Sequence, residues 1–162
     1  MDRPDWKLRP ANEEDGDAIR RLVFGVLMEY GLQPDPEGTD ADLKTVVVSY
    51  QLPGGLFDML IDEAGEIVGT VGLFPITKDR CELRKMYLAR SARRRGYGKR
   101  LLEHALIEAT ARRFHRLELE TASALVEAIA LYEHYGFHRF TPNHLAPRCD
   151  CAYYLTLTPS EL

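Results

Sequence analysis

Two glycines and five basic residues are concentrated in one short segment of the chain. Gly96 and Gly98 stand one residue apart, and the cations around them are Arg93, Arg94, Arg95, Lys99 and Arg100. The first N–H groups of a helix have no acceptor within the helix, and a glycine lets a phosphate reach them without meeting a Cβ atom. Because the segment lies between a predicted strand and a predicted helix, it predicts a binding site for a phosphate or diphosphate group.

Three other interpretations of this segment each require particular residues or spacings. A P-loop needs four residues between its glycines and a Lys-Ser/Thr pair after them, and neither is present. A Rossmann dinucleotide loop is closer, since Glu118 and Glu120 follow about twenty residues later, but Leu101 occupies the place of the third glycine. A solvated basic turn or a nucleic-acid patch is not excluded by charge, yet it does not predict the glycine spacing. The residues alone therefore indicate phosphate binding.

Hydrophobic periodicity predicts the elements that must position this segment. Alternation with a period of two predicts strands at residues 6–10, 56–61, 67–74, 81–88, 116–121, 137–140 and 152–158. Apolar stripes at three-and-four spacing predict helices over residues 19–30, 43–50, 101–109 and 125–135. Asn12 with Asp15 is expected to cap the first helix, and Thr39 with Asp42 the second. The order predicts one α+β domain, residues 1–162, whose mixed sheet has several antiparallel strands and then a β-α-β step.

Composition excludes several classes of protein. A chain of 162 residues with 45% hydrophobic and 28% charged residues predicts a soluble domain that needs no disulfide or metal to fold. The net charge of -4 gives the whole molecule no attraction for nucleic acid or an anionic membrane, and neither partner is expected. No apolar run reaches the length of a membrane span, and the polar N-terminus does not resemble a signal peptide.

The cysteines indicate a reducing compartment. There are three, an odd number in a chain that needs no disulfide, so a cytoplasmic location is expected. Cys149 and Cys151, with His138 and His144 upstream, could hold a metal ion. Because a single intervening residue is not the usual spacing of a zinc site, no metal is expected.

Three segments resemble the GNAT superfamily of acyl-CoA-dependent acyltransferases. Residues 93–98 (RRRGYG) resemble its Gln/Arg-x-x-Gly-x-Gly/Ala signature, residues 82–88 (ELRKMYL) its central strand, and residues 128–137 (AIALYEHYGF) its second motif. Residues 29–40 and 149–155 are similar to a bacterial subset described only as generic acetyltransferases. The resemblance covers the whole chain and implies the GNAT-like acyl-CoA N-acyltransferase fold, in which helices flank a central mixed β-sheet. It also implies acetyl-CoA as the acyl donor.

The resemblance also implies a cofactor site. The central strand is expected to diverge from its neighbour and to pair with the pantetheine arm through its backbone, here at Met86, Tyr87 and Leu88. The diphosphate is expected at the N–H groups from Arg95 to Lys99. The residues implied in this part of the site are Arg93, Arg94, Arg95, Gly96, Tyr97, Gly98, Lys99 and Arg100. Leu125 takes the place of an Asn that contacts the cofactor in many members.

Acetyl transfer to an amine needs two proton transfers. A primary ammonium has a pKa of about 10, so a base must take its proton, directly or through water. Glu82 is the candidate base, because members of the family often place Glu or His there facing the acceptor. Strand alternation predicts that Glu82, Arg84 and Met86 share one face. The alternative is a surface carboxylate paired with Arg84 or Lys85.

Tyr132 is the candidate proton donor to the departing thiolate. It matches the tyrosine of the second motif, which lies beside the cofactor sulfur in the family. The alternative is a core tyrosine on the apolar stripe that it shares with Ile129 and Tyr135.

The acceptor is expected to be an amine of a small molecule or a peptide, bound by the first two helices and nearby loops. An acidic cluster in this region could attract a cationic acceptor, and its members are Asp35, Glu37, Asp40 and Asp42. Arg84 or Arg148 could instead select a carboxylate. A non-catalytic acyl-CoA-binding module for sensing remains the alternative to the enzyme, and the oligomeric state stays open, a homodimer included.

Overall fold

Seven strands form one mixed sheet in the computed structural model, which describes residues 6–158. The strands are β1 (Lys7–Pro10), β2 (Leu56–Ile61), β3 (Ile67–Pro75), β4 (Arg80–Leu88), β5 (Arg116–Thr121), β6 (His138–Phe140) and β7 (Cys151–Thr156). Their spatial order is β1-β2-β3-β4-β5-β7-β6, and only β4 and β5 are parallel neighbours. The predicted α+β fold with a mixed sheet is therefore confirmed, including the antiparallel strands and the β-α-β step.

Within residues 6–158, three α-helices cover the sheet, and they are α1 (Gly16–Glu29), α2 (Tyr97–Ala111) and α3 (Val126–His134). Strand alternation separates the apolar residues of β2 into two sets. Leu56 and Leu60 belong to the core that contains the buried residues of α2, whereas Phe57 and Met59 belong to the core that contains those of α1. The two faces of the sheet are called the α2 face and the α1 face below. No helix within residues 6–158 has both the length and the apolar character needed to cross a bilayer.

The predicted second helix is wrong. A 3₁₀ turn covers Ala41–Lys44 with Thr45 as its C-cap, and a separate π-helical turn covers Val47–Gln51. Asp40 rather than Thr39 is the N-cap, and its side chain caps nothing. The carboxylates of Asp40 and Asp42 bind side chains elsewhere, Lys85 and Tyr50 among them, and so do not stabilise a helix start.

A β-bulge divides β4 into two parts. Thr70 of β3 pairs with Tyr87 and Gly72 pairs with Arg84, so two residues of β4 lie opposite one residue of β3. The bulge is centred on Lys85, whose backbone has a positive φ of 55°. The extra residue reverses the alternation, because Met86 packs in the core of the α2 face together with Leu83. The prediction that Met86 shares a face with Glu82 and Arg84 is therefore wrong.

The two parallel strands at the centre of the sheet pair over only part of their length. Arg80, Cys81 and Glu82 of β4 pair with Arg116, Leu117 and Glu118 of β5. β5 continues its pairing with β7 to Thr121, but beyond Glu118 it no longer pairs with β4. The strands therefore diverge, as the resemblance implies, and a gap opens between their C-terminal halves.

Candidate functional site

A cavity of about 550 Å³ occupies the gap between β4 and β5. Residues 82–88 line it from one strand and residues 120–122 from the other, and α3 and the loop before β7 close it. The cofactor end is defined here by Leu88, Arg93, Gly98, Leu125 and Leu131. The acceptor end is defined by Glu82, Arg84, Lys85, Glu120 and Arg148. All ten residues line the cavity.

The start of α2 has the geometry expected of an anion site. Gly96 adopts a left-handed conformation with φ of 84°, and within residues 6–158 no side chain caps the helix that follows. A Cβ atom on Gly98 would lie 3.7 Å from Leu88 Cδ1 and 3.8 Å from Leu131 Cδ2, which are ordinary contacts. The protein itself therefore leaves room for a side chain at Gly98, and this glycine keeps the cofactor end of the cavity open.

Arg93 provides an unused hydrogen-bond donor at this end. Its Nε donates to the carbonyl of Leu88 at 3.1 Å and its Nη1 to Glu29 Oε2 at 2.8 Å. Its Nη2 is buried and has no partner within the described residues. Because buried polar groups almost always have partners, this guanidinium fits an anionic group in the cavity, such as the diphosphate of an acyl-CoA.

The remaining basic residues predicted for the cofactor lie outside the cavity lining. Arg100 Nη1 donates to the carbonyl of Trp6 at 2.6 Å, and the ring of Tyr97 stacks on Trp6 at 4.5 Å. Arg95 lies over the same indole at 5.4 Å, and Lys99 Nζ is 3.9 Å from a glutamate of α2. Arg94 is exposed. The structure thus gives Tyr97 and Arg100 contacts that join α2 to the start of the sheet.

Eight of the residues proposed from the sequence are brought together around the cavity, and they are Glu82, Met86, Tyr87, Leu88, Arg93, Gly98, Leu125 and Tyr132. Leu125 also serves as the N-cap of α3. Its apolar side chain lines the cofactor end but offers no amide to a ligand.

Tyr132 is both a core residue and a cavity residue. It is buried and packs against Phe137, with a ring separation of 5.6 Å. Burial raises the pKa of its hydroxyl, and nearby Tyr87 raises it further. No residue within 6–158 forms a hydrogen bond with that hydroxyl. At neutral pH the hydroxyl of Tyr132 is therefore protonated, and no described residue accepts a hydrogen bond from it.

Glu82 is engaged by its neighbour on β4. Arg84 donates to it twice, from Nε to Oε1 at 2.8 Å and from Nη2 to Oε2 at 3.3 Å. The guanidinium of Arg84 also lies 3.8 Å from the centre of the Phe74 ring. Glu82 thus lines the cavity while both of its oxygens bind Arg84. This pairing with Arg84 is the alternative to a role as the base.

A buried ion cluster holds the acceptor end together. Asp40 has no exposed side-chain surface, and its oxygens accept from Arg148 Nη2 at 2.6 Å, Arg148 Nη1 at 2.7 Å and Lys85 Nζ at 2.8 Å. Burial alone would raise the pKa of Asp40, but these bonds and the N–H of Asp35 lower it to about 2. The cluster joins three segments that are distant in sequence, one of them the β4 bulge.

Each carboxylate of the acidic loop has a partner within residues 6–158, although Asp42 Oδ1 is buried without a hydrogen bond. Glu37 pairs with Lys44 at 2.7 Å, Asp35 accepts from the N–H of Thr39 at 2.9 Å, and Asp42 binds the hydroxyl of Tyr50. Arg84 and Arg148 are each paired with carboxylates as well. Among the described residues, neither arginine therefore has an unpaired charge for a carboxylate acceptor, and only Asp35 of the acidic loop lacks a cation partner.

Glu120 is a cavity residue for which the sequence suggested no role in this site. It lies two residues beyond the last β5 residue that pairs with β4, and its Oε1 accepts from the N–H of Ala146 at 2.8 Å. Burial raises the pKa of its carboxyl, and the Ala146 N–H lowers it in part. The alternating acids Glu118 and Glu120 in a short β-rich segment were the signal available in the sequence.

Lys85 was also missed as a site residue. Its signal was a lysine between Leu83 and Tyr87 in an otherwise β-rich strand. Across residues 6–158, no group of three or more His, Cys, Asp or Glu side chains is arranged to hold a metal ion.

Comparisons with known proteins agree with this fold. Residues 26–137 match the model of the acetyltransferase (GNAT) family. YjgM, an uncharacterised N-acetyltransferase of Escherichia coli K12, is 40% identical over 135 residues, which are 80% of each chain. A GNAT acetyltransferase from Staphylococcus aureus Mu50 matches the fold with a TM-score of 0.88 at 21% identity, over 94% of this chain and 99% of the other. A phosphinothricin acetyltransferase from Sinorhizobium meliloti, solved with acetyl-CoA, has a TM-score of 0.75 at 20% identity, over 96% and 94%. This chain therefore belongs to the GNAT family of acetyltransferases.

Proposed function

We propose that the protein is an N-acetyltransferase that moves an acetyl group from acetyl-CoA to an amine by direct attack in a ternary complex. The observation that carries the proposal is the cavity between the diverging strands. At one end it has a guanidinium nitrogen, Arg93 Nη2, that has no partner within residues 6–158, and at the other end it has ionisable carboxylates. Such a cavity can hold two reactants in attack geometry, and positioning of this kind lowers a barrier by several kcal/mol. The acceptor is an amine of a small molecule or a peptide.

The cofactor end is proposed to hold the diphosphate and the pantetheine arm. Arg93 Nη2 and the uncapped start of α2 supply donors for the diphosphate. Beyond Glu82, the edge of β4 that faces the gap is not paired with β5. Its backbone at Met86 and Leu88 is free of that pairing and can form a ladder with the amides of the arm.

Tyr132 is proposed to give its proton to the sulfur as the C–S bond of the thioester breaks. Tyr132 lines the cavity beside Leu131, and burial raises the pKa of its hydroxyl, which is neutral at neutral pH. A thiol has a pKa of about 8.5, so a donor makes the thiolate a better leaving group. The ammonium proton must also be removed, and Glu82 and Glu120 are the carboxylates of the two diverging strands that line the cavity.

The first test is whether acetyl-CoA binds and reacts. Acetyl-CoA at a hundred times its Kd should stabilise the fold by about 2.7 kcal/mol, which a thermal melt detects. Release of coenzyme A should then depend on an amine from a panel of polyamines, amino sugars, amino acids and peptides. Stabilisation without release for any amine would indicate a non-catalytic acyl-CoA-binding module.

Two coarser expectations belong to the same proposal. Cysteine usage supports a cytoplasmic location. The continuous sheet of the described residues supports one domain over residues 1–162. Fractionation and limited proteolysis test these two expectations.

A further inference from the structure

We propose that Glu120 is the catalytic residue that binds the ammonium group of the acceptor and takes its proton. The inference rests on the proposed acetyl transfer, because it assigns a residue to one step of that reaction. The sequence-based expectation gave this role to Glu82, which lines the same cavity from the opposite strand.

The position of Glu120 in the sheet directs it toward the acceptor. Leu117 and Leu119 pack in the core of the α2 face, so alternation turns Glu120 toward the α1 face. Tyr132 lies in the core of the α2 face. The proposed base and the proposed acid therefore approach the gap from opposite sides of the sheet. This is the arrangement required when an amine enters from one side and a thiolate leaves on the other.

Charge pairing distinguishes Glu120 from Glu82 at the acceptor end and from Asp40 in the adjoining ion cluster. Arg84 binds both oxygens of Glu82, and Arg148 and Lys85 bind Asp40. Within residues 6–158, Glu120 takes part in no ion pair, and its one hydrogen bond comes from a backbone N–H. An incoming ammonium would supply the cation that this carboxylate lacks.

The surroundings of Glu120 also favour proton uptake. Burial raises the pKa of its carboxyl above the ordinary 4.5, the Ala146 N–H lowers it, and the like charges of Glu82 and Glu118 raise it. Arg84 lowers it, but that guanidinium is already bound to Glu82. Cys149 adds no charge at neutral pH, because burial raises the pKa of its thiol to about 11. A carboxylate with a raised pKa is a stronger base while it is still ionised at neutral pH.

The proton balance of the step is complete. Glu120 takes one proton from the ammonium and later returns it to solvent. The neutral nitrogen forms a bond to the carbonyl carbon of the thioester, and the C–S bond breaks. The proton that nitrogen loses on forming the amide balances the proton that sulfur takes up, so the products are an N-acetyl amine and coenzyme A.

The test compares the pH dependence of kcat for the wild type and Glu120→Gln between about pH 5 and 9. The wild type should lose activity as the pH falls through the raised pKa of Glu120, because only the ionised form accepts a proton. Glu120→Gln should lower kcat at neutral pH by about a hundredfold and abolish this acid limb. The difference in kcat between the wild type and Glu120→Gln should become smaller at high pH, where the amine of the acceptor is deprotonated without a base.

Two matched variants separate catalysis from folding. Gln keeps an oxygen that can accept from Ala146, so the melting temperature and acetyl-CoA binding of Glu120→Gln should match the wild type. Glu118→Gln changes the same residue type on the same strand but outside the cavity lining. It should keep an acid limb, displaced to lower pH because the like charge of Glu118 no longer raises the pKa of Glu120. If Glu120→Gln unfolds, a carboxyl ¹³C NMR titration of the wild type replaces it, and a Glu120 pKa different from that of the acid limb overturns the proposal.

The outcomes distinguish this inference from the function on which it rests. A wild type that acetylates no amine removes the proposed function and the inference together. A wild type that is active, with an acid limb that survives in Glu120→Gln and disappears in Glu82→Gln, returns the role to Glu82 and overturns the inference alone.

Discussion

At the cofactor end of the cavity, most of the groups that face a ligand come from backbone geometry: the uncapped start of α2, the open edge of β4 and a glycine that leaves space. Arg93 adds one side-chain donor. At the acceptor end they are charged side chains, and Asp40 and Arg148 are separated by 108 residues of sequence. The first end depends on the conformation of a short segment. The second depends on pairing between distant segments.

This difference has an energetic consequence. A site made of backbone groups tolerates changes in many of its side chains, since the donors remain in place. A buried ion cluster does not, because removal of one charge leaves its partner buried and unpaired. Loss of a charge from this cluster should therefore reduce stability, whereas changes at the cofactor end should reduce ligand binding with little effect on stability.

The largest effect is expected for Asp40→Asn. Arg148 and Lys85 would lose the carboxylate that holds them, at a cost of about 3 to 5 kcal/mol in the free energy of unfolding. Urea denaturation measures this loss. Glu37→Gln is the control in the same loop, because the side chain of Glu37 is 85% exposed and its ion pair should contribute less than about 1 kcal/mol. Equal losses in the two variants would contradict the proposed importance of burial.

Tyr132→Phe tests whether the hydroxyl of Tyr132 is the acid of the proposed reaction. Loss of the hydroxyl should lower kcat at saturating acetyl-CoA by about a hundredfold and leave the melting temperature nearly unchanged. Tyr135→Phe is the matched control on α3, because the Tyr135 hydroxyl binds Glu103 and lies outside the cavity lining. Turnover of Tyr132→Phe within about twofold of the wild type would show that this hydroxyl is not the acid.

The pH dependence of stability isolates the charge of Asp40. Its pKa of about 2 in the fold lies below the ordinary 3.8, so its stabilisation is complete above pH 3.8 and is lost as the pH falls toward 2. The difference in unfolding free energy between the wild type and Asp40→Asn should therefore shrink by about 2 kcal/mol over this range. Denaturation at a series of pH values measures it. A constant difference would mean that ion pairing does not hold the acceptor end.

The smallest of these effects is expected at the cofactor end. Gly98→Ala should raise the Kd of acetyl-CoA by about tenfold, or 1.4 kcal/mol, because the methyl group takes space from the ligand and not from the protein. Gly25→Ala on α1 has nothing within 4 Å of the added Cβ and should leave the Kd unchanged. Isothermal titration calorimetry provides the comparison, and equal affinities in both variants would contradict the role of Gly98.

The strand, turn and helix that form the cofactor end could be predicted because their signals are local in sequence. The spacing of Gly96 and Gly98, the preceding strand and the following helix lie within about twenty residues, and the family motif covers the same segment. The acceptor end could not be predicted because its determinants are tertiary. The bulge at Lys85 changed which residues share a face, and the pairing of Asp40 and Asp42 with distant side chains replaced the predicted second helix by shorter turns.

The most direct test of the account is the initial-rate pattern with acetyl-CoA and an amine varied together, with the product identified by mass spectrometry. Direct transfer in the cavity predicts intersecting double-reciprocal lines and an amine that carries one acetyl group on nitrogen. Parallel lines with an acetylated form of the protein, or bound acetyl-CoA that no amine consumes, would contradict it.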